Sequence, residues 1–132
     1  MDEERVPDAL MEKFTDVLRR RDVDGFLMLF SPSSPWTYVG TLTDPHETTR
    51  ITYEDLARDL RNRSGWYETL FDARGDDCFR DHVTATKGKP WRRVGSARFV
   101  PPDDRGDGRV YVSWRSEGAG RWVVDEIGEP SA

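Results

Sequence analysis

Apolar residues recur at helical spacing twice near the start of the chain, which predicts two short amphipathic helices. The apolar positions of the first are Leu10, Phe14, Val17 and Leu18, and those of the second are Val23, Phe26, Leu27 and Phe30. Pro7 suits the first position of helix one, where its missing N–H costs nothing. Asp22 suits the N-cap of helix two, since its carboxylate can accept backbone N–H groups. Gly25 costs about 1 kcal/mol inside a helix relative to alanine, and we interpret it as tolerated there rather than as a point of close approach.

Alternation replaces helical spacing over residues 36–43 and predicts a strand that Asp44–Pro45 ends. Its two faces carry Trp36, Tyr38 and Gly40 on one side and Thr37, Val39 and Thr41 on the other. A third helix is predicted to start at Thr52, where Thr52 and Asp55 form a near capping box. Its apolar face consists of Tyr53, Leu56, Ala57 and Leu60. A short helix follows, marked by Trp66, Tyr67, Leu70 and Phe71.

The C-terminal third predicts a three-strand antiparallel meander, with strands at roughly 91–100, 109–116 and 121–127. Glycine-rich loops of hairpin length separate these segments. In the middle strand one face consists of Val110, Val112 and Trp114, and the other of Arg109, Tyr111, Ser113 and Arg115. Residues 72–90 show no clear period. No internal repeat or linker divides the chain, so residues 1–132 are predicted to form a single α+β domain.

Composition narrows the function classes. The chain has 132 residues, 34% of them charged and 11% aromatic, which favours a folded domain over a disordered one. Its net charge of −5 argues against a dedicated nucleic-acid or anionic-membrane binder. Cys78 is the single cysteine and permits no internal disulfide, so a reducing, cytoplasmic location is expected. The N-terminal segment is acidic, and no apolar stretch approaches the ~20 residues that span a bilayer.

The order helix, helix, aromatic strand, helix and closing meander resembles the nuclear transport factor 2-like superfamily. The resemblance is carried by residues 18–26, which look like the joint between the first two helices of that group, and by the closing strand from Gly120 to Asp125. The superfamily includes ketosteroid isomerases, scytalone dehydratase, limonene epoxide hydrolase and polyketide-cyclase-like proteins, together with many binding modules. Residues 62–90 depart from its pattern, because its members usually run quickly from helix three into a strand.

The resemblance implies a cystatin-like α+β fold in which N-terminal helices pack in a strongly bent, mostly antiparallel sheet. Such a cone-like half barrel leaves an apolar cavity, and members commonly pair through their sheets as homodimers. Ketosteroid isomerases place a catalytic tyrosine on the first helix, where this chain has Phe14 and neither tyrosine nor histidine. That catalytic set is therefore not carried over.

Acid–base groups cluster beside the end of the first predicted strand. Asp44 and His46 could form a proton-transfer pair, with Tyr38 as a hydrogen-bond donor. A polar Asp-Pro segment is also an ordinary turn initiator. These residues support one of two functional hypotheses, a cofactor-free lyase, isomerase or cyclase that acts on a small apolar substrate.

The favoured hypothesis is a binding module with an aromatic-lined pocket for a small apolar molecule or a protein partner. The proposed lining residues are Phe14, Trp36, Tyr38, Trp66, Trp91 and Trp114. Core packing explains most of these side chains equally well, because aromatic residues dominate the energetics of protein cores. We expect two or three of them to contact a cavity.

Two further patterns favour structural explanations. Cys78 and His82 stand four residues apart without a second such pair, so neither a metal site nor any other cofactor is predicted. The segment 87–98 holds five basic residues around Trp91 and no acid. A nucleic-acid interface is disfavoured there by the acidic chain, and an anionic ligand or an acidic protein partner fits the pattern better.

Overall fold

The computed structural model describes residues 5–40, 47–71, 88–102 and 110–129. Their helices are α1 (Asp8–Arg20), α2 (Val23–Leu27), α3 (Tyr53–Asn62) and α4 (Trp66–Leu70). Their strands are β1 (Trp36–Gly40), β2 (Glu47–Ile51), β3 (Arg92–Val94), β4 (Arg98–Val100), β5 (Tyr111–Ser116) and β6 (Trp122–Glu129). The predicted α+β class is confirmed.

All described strands belong to one six-stranded sheet with the order β2-β1-β6-β5-β4-β3. Four neighbouring pairs are antiparallel, and β1 runs parallel to β6. The sheet is therefore mixed. Within the described ranges it is not closed into a barrel, and β2 and β3 form its edges.

The helix boundaries follow local capping chemistry. The Asp22 carboxylate accepts a hydrogen bond from the Gly25 N–H at 3.0 Å, and the Thr52 hydroxyl accepts one from the Asp55 N–H at 3.1 Å. Both predicted N-caps are confirmed. The interpretation of Gly25 as merely tolerated is wrong, because a Cβ there would lie 2.9 Å from Val17 Cγ1 on α1. A larger residue at position 25 would require the Asp22 and Val17 side chains to move.

The sheet departs from the sequence prediction at two places. Residues 91–100 form a hairpin instead of one strand, since β3 ends at Val94 and β4 begins at Arg98. Gly95 turns the chain between them with a φ of 77°, a conformation that suits glycine. The strand β2 has no counterpart in the prediction. It pairs with β1 over its whole length, from Trp36 opposite Ile51 to Gly40 opposite Glu47.

An irregularity in β6 determines which of its residues reach the core. Ser113 pairs with Glu126 whereas Trp114 pairs with Val124, so Asp125 is an extra residue in β6. Such a bulge shifts the alternation of side chains by one position. As a result both Val124 and Ile127 belong to the hydrophobic core, three positions apart in one strand.

Candidate functional site

Most of the predicted aromatic lining is packed into one cluster between the helices and the sheet, which we call the aromatic interior. Phe26 on α2 is at its centre, with ring centroids 5.3 Å from Phe14, 5.0 Å from Phe30 and 5.1 Å from Phe71. Trp114 on β5 joins the cluster through Phe14 at 6.1 Å. These distances are those of aromatic rings in contact.

The predicted pair Trp36 and Tyr38 extends the aromatic interior along β1. Both side chains are buried, which agrees with the prediction that they share a face. Each contacts Trp66 on α4 edge-on, at 5.8 Å from Trp36 and 5.0 Å from Tyr38. Trp36 also contacts Phe30 at 5.2 Å. Phe14, Trp36, Tyr38, Trp66 and Trp114 therefore all contact other aromatic rings.

Two polar atoms of the described aromatic interior lack a hydrogen bond. The indole Nε1 atoms of Trp36 and Trp114 are buried and have no acceptor. An unsatisfied buried donor costs about 1–3 kcal/mol. Shape, rather than hydrogen bonding, therefore accounts for indole rings at these positions.

Trp91, the remaining member of the predicted set, borders a cleft of about 390 Å³ between α1 and the β3–β4 hairpin. The apolar side chains along this cleft are Met11, Pro90, Trp91 and Phe99. The charged ones are Arg5, Asp8, Glu12, Lys89 and Arg93. We call this depression the α1–hairpin cleft. It places an apolar floor next to charges of both signs.

Arg93 fixes the geometry of the α1–hairpin cleft. Its guanidinium donates hydrogen bonds to the backbone oxygens of Val6 and Ser96 and to Asp8 Oδ1, the last at 2.6 Å. It also lies 4.8 Å from the centre of the Phe99 ring. Its side chain is only 17% exposed. Arg93 therefore holds the N-terminal segment and α1 against the hairpin.

Arg5 and Lys89 differ from Arg93 in having no partner among the described residues. Both are exposed, and neither forms a hydrogen bond or ion pair within the described structure. Arg5 and Arg93 also line a second, more open depression of about 500 Å³ together with Gly95 and Ser96. Arg5 thus stands at the boundary between the two depressions.

A separate group of polar contacts lies on β4, β5 and β6, outside the aromatic interior. Tyr111 donates its hydroxyl hydrogen to Glu126, and the Arg98 guanidinium lies 4.1 Å above the Tyr111 ring. Burial, and after it the hydrogen bond to Glu126, raises the pKa of Tyr111 well above its ordinary value. The ring packs so close to Gly128 that a Cβ there would lie 2.2 Å from it. The Tyr111 hydroxyl is therefore protonated, and its hydrogen is donated to Glu126.

The described structure does not test the predicted acid–base site. Asp44 and His46 lie outside the described residues, as do Cys78 and His82. Tyr38 is 8% exposed and packs against Trp66. Among the residues that the structure covers, no group of three or more histidine, cysteine, aspartate or glutamate side chains is arranged to hold a metal ion. The acid–base set stays a prediction.

The α1–hairpin cleft itself was not predicted as a site. On its α1 side, the sequence contained no indication of a binding site, because Asp8, Met11 and Glu12 fit an ordinary amphipathic helix. Its hairpin side did give one, namely the basic segment around Trp91 and its suggested anionic ligand. The sequence did not predict that this segment lies next to the first turn of α1.

No family matches the sequence, and no curated protein is significantly similar to it. Across the described ranges, none of the helices has the length and apolar character needed to cross a membrane.

Proposed function

We propose that the protein is a binding module and that a small amphipathic molecule occupies the α1–hairpin cleft. The observation that carries this proposal is the cleft itself, whose volume of about 390 Å³ falls within the range of small-molecule sites. Its described lining joins apolar side chains to five charged ones, which suits an amphipathic molecule better than a wholly apolar one. Trp91 is its largest apolar contact.

The contrast with the aromatic interior supports this placement of the ligand. Phe26 has three aromatic neighbours within 5.3 Å, so its surroundings are filled by the protein's own side chains. Trp91 belongs to the same buried core but also borders an open cleft. Of the six aromatic residues that the sequence suggested as lining, Trp91 is the one we assign to the ligand.

We also propose membership of the nuclear transport factor 2-like superfamily, with a cone-like bend of the sheet and pairing of two copies through it. Support comes from the N-terminal helices packed on a six-stranded sheet in which antiparallel pairing predominates. The superfamily contains many binding modules, which agrees with the proposed function. Fold alone does not supply a function, so the cleft remains the main argument.

The proposal is tested with N-phenyl-1-naphthylamine, a neutral aromatic probe, followed by the indole N–H signals in a ¹⁵N–¹H spectrum. We expect the probe to shift the Trp91 signal and to leave those of Trp36 and Trp114 in place. Trp91→Leu should weaken binding roughly three- to tenfold, since an aromatic contact contributes about 0.5–1.5 kcal/mol beyond burial.

Trp122→Leu provides the matched control, because Trp122 is half-buried and is not part of the cleft lining. It should leave probe affinity unchanged. A probe that shifts Trp36 or Trp114 instead of Trp91 would move the site into the aromatic interior. Equal affinity of the Trp91→Leu variant and the unchanged protein would overturn the proposal.

A further inference from the structure

We propose that the α1–hairpin cleft selects organic anions, molecules with an apolar body and one carboxylate, sulfonate or phosphate group. The body would lie on Trp91 and Phe99, and the anionic group would bind Arg5 and Lys89. This inference rests on the proposed function, because it specifies the ligand of the same cleft.

Charge around the cleft favours an anion. Among the described residues, three cations line it, Arg5, Lys89 and Arg93, against two acids, Asp8 and Glu12. The chain as a whole carries a net charge of −5, so this local excess of positive charge runs against its average. Clefts lined by an excess of one sign attract ligands of the opposite sign.

The internal ion pair leaves two cations available. Asp8 and Arg93 form an ion pair, with 2.6 Å between Asp8 Oδ1 and the Arg93 guanidinium. The same guanidinium also donates hydrogen bonds to the Val6 and Ser96 carbonyls. Within the described structure Arg5 and Lys89 have no such acceptor. A ligand oxygen can bind them without displacing an existing contact, and a charge-assisted hydrogen bond is the stronger kind.

The cations and the apolar side chains of the cleft occupy different positions, so each can bind a different half of the ligand. Arg5 lines both the cleft and the more open depression beside Gly95, so it stands where solvent meets the apolar floor. An anion bound there keeps part of its hydration, while its apolar body leaves water against Trp91, Phe99 and Met11. Burial of that body favours binding, because apolar surface is removed from water.

A matched pair of probes tests this inference. 1-Anilinonaphthalene-8-sulfonate has the same aromatic body as N-phenyl-1-naphthylamine and adds one sulfonate. We expect the unchanged protein to bind the sulfonate more tightly. The double variant Arg5→Gln/Lys89→Gln should lose roughly tenfold in affinity for the sulfonate, about a few-fold for each exposed cation. Its affinity for the neutral probe should stay within about twofold.

The control variant is Lys13→Gln/Arg61→Gln, which changes the net charge by the same amount through two exposed cations outside the cleft lining. It should bind both probes as the unchanged protein does. Added salt should weaken binding of the sulfonate probe and leave binding of the neutral probe unchanged, because ions screen exposed charges.

The outcomes separate this inference from the proposed function. If both probes shift Trp91 but Arg5→Gln/Lys89→Gln leaves the sulfonate affinity intact, the anion selectivity is wrong and the binding site stands. Equal losses for both probes, or an equal loss in the control variant, would also overturn the selectivity. If neither probe shifts Trp91, the proposed function itself fails.

Discussion

The aromatic interior and the α1–hairpin cleft use the same residue types in different surroundings. In the interior, Phe26 contacts three other phenylalanines and Trp36 contacts Phe30 and Trp66. In the cleft, Trp91 and Phe99 border open space and charged side chains. Both sets are buried by accessible area, Trp36 at 2% and Trp91 at 8%. Burial alone therefore does not distinguish a core aromatic from a ligand contact, whereas a border with open space does.

The largest expected effect is the loss of an interior ring. Phe26→Ala should destabilise the protein by about 3–5 kcal/mol, because it removes buried area and leaves a cavity that its neighbours cannot fill. Urea unfolding followed by circular dichroism measures the change. Phe99 is also buried, but it borders the cleft, so water can enter the space that Phe99→Ala leaves and the loss should be smaller. Equal losses would remove the distinction between the two regions.

The second effect concerns the contact that holds the cleft together. Arg93→Lys keeps the charge opposite Asp8, but an ammonium cannot reproduce the planar set of donors to Val6, Asp8 and Ser96. We expect a loss of about 1–2 kcal/mol in the free energy of unfolding.

Arg20→Lys is the control for this loss. Arg20 forms an exposed pair with Asp16 one turn away on α1, and the change there should have no measurable effect. If the two variants behave alike in urea unfolding, Arg93 is no more than a surface ion pair.

The smallest effect tests the unsatisfied indoles. Trp36→Phe gives up part of an aromatic ring but also removes a buried N–H that has no acceptor. These contributions oppose each other, so stability should change by less than about 1 kcal/mol. A loss of 2 kcal/mol or more (measured by urea unfolding) would show that the Trp36 N–H does find a partner in solution.

Local signals in the sequence predicted local structure well. The spacing of apolar residues located α1 and α2, and the side chains of Asp22 and Thr52 marked two helix starts that the structure reproduces. Each of these features depends on residues within one or two turns of each other. The shared face of Trp36 and Tyr38 was predictable for the same reason.

Features that depend on distant partners were not predictable. The strand β2 has Ile51 as its single apolar residue, and it forms because β1 offers unpaired backbone groups. The parallel pairing of β1 with β6 joins Thr37 to Glu126, and no local pattern encodes it. The α1–hairpin cleft belongs to this class, since Asp8 and Arg93 meet across most of the chain.

The contact between Tyr111 and Gly128 bears on how the sequence can change over generations. The two residues face each other on β5 and β6, and the ring occupies the space that any side chain at position 128 would need. A larger residue at 128 becomes acceptable only after residue 111 has become smaller, whereas the reverse order passes through a clash. Descendants of this chain are thus expected to inherit the two positions as a pair, and where they differ, to have lost the aromatic ring first.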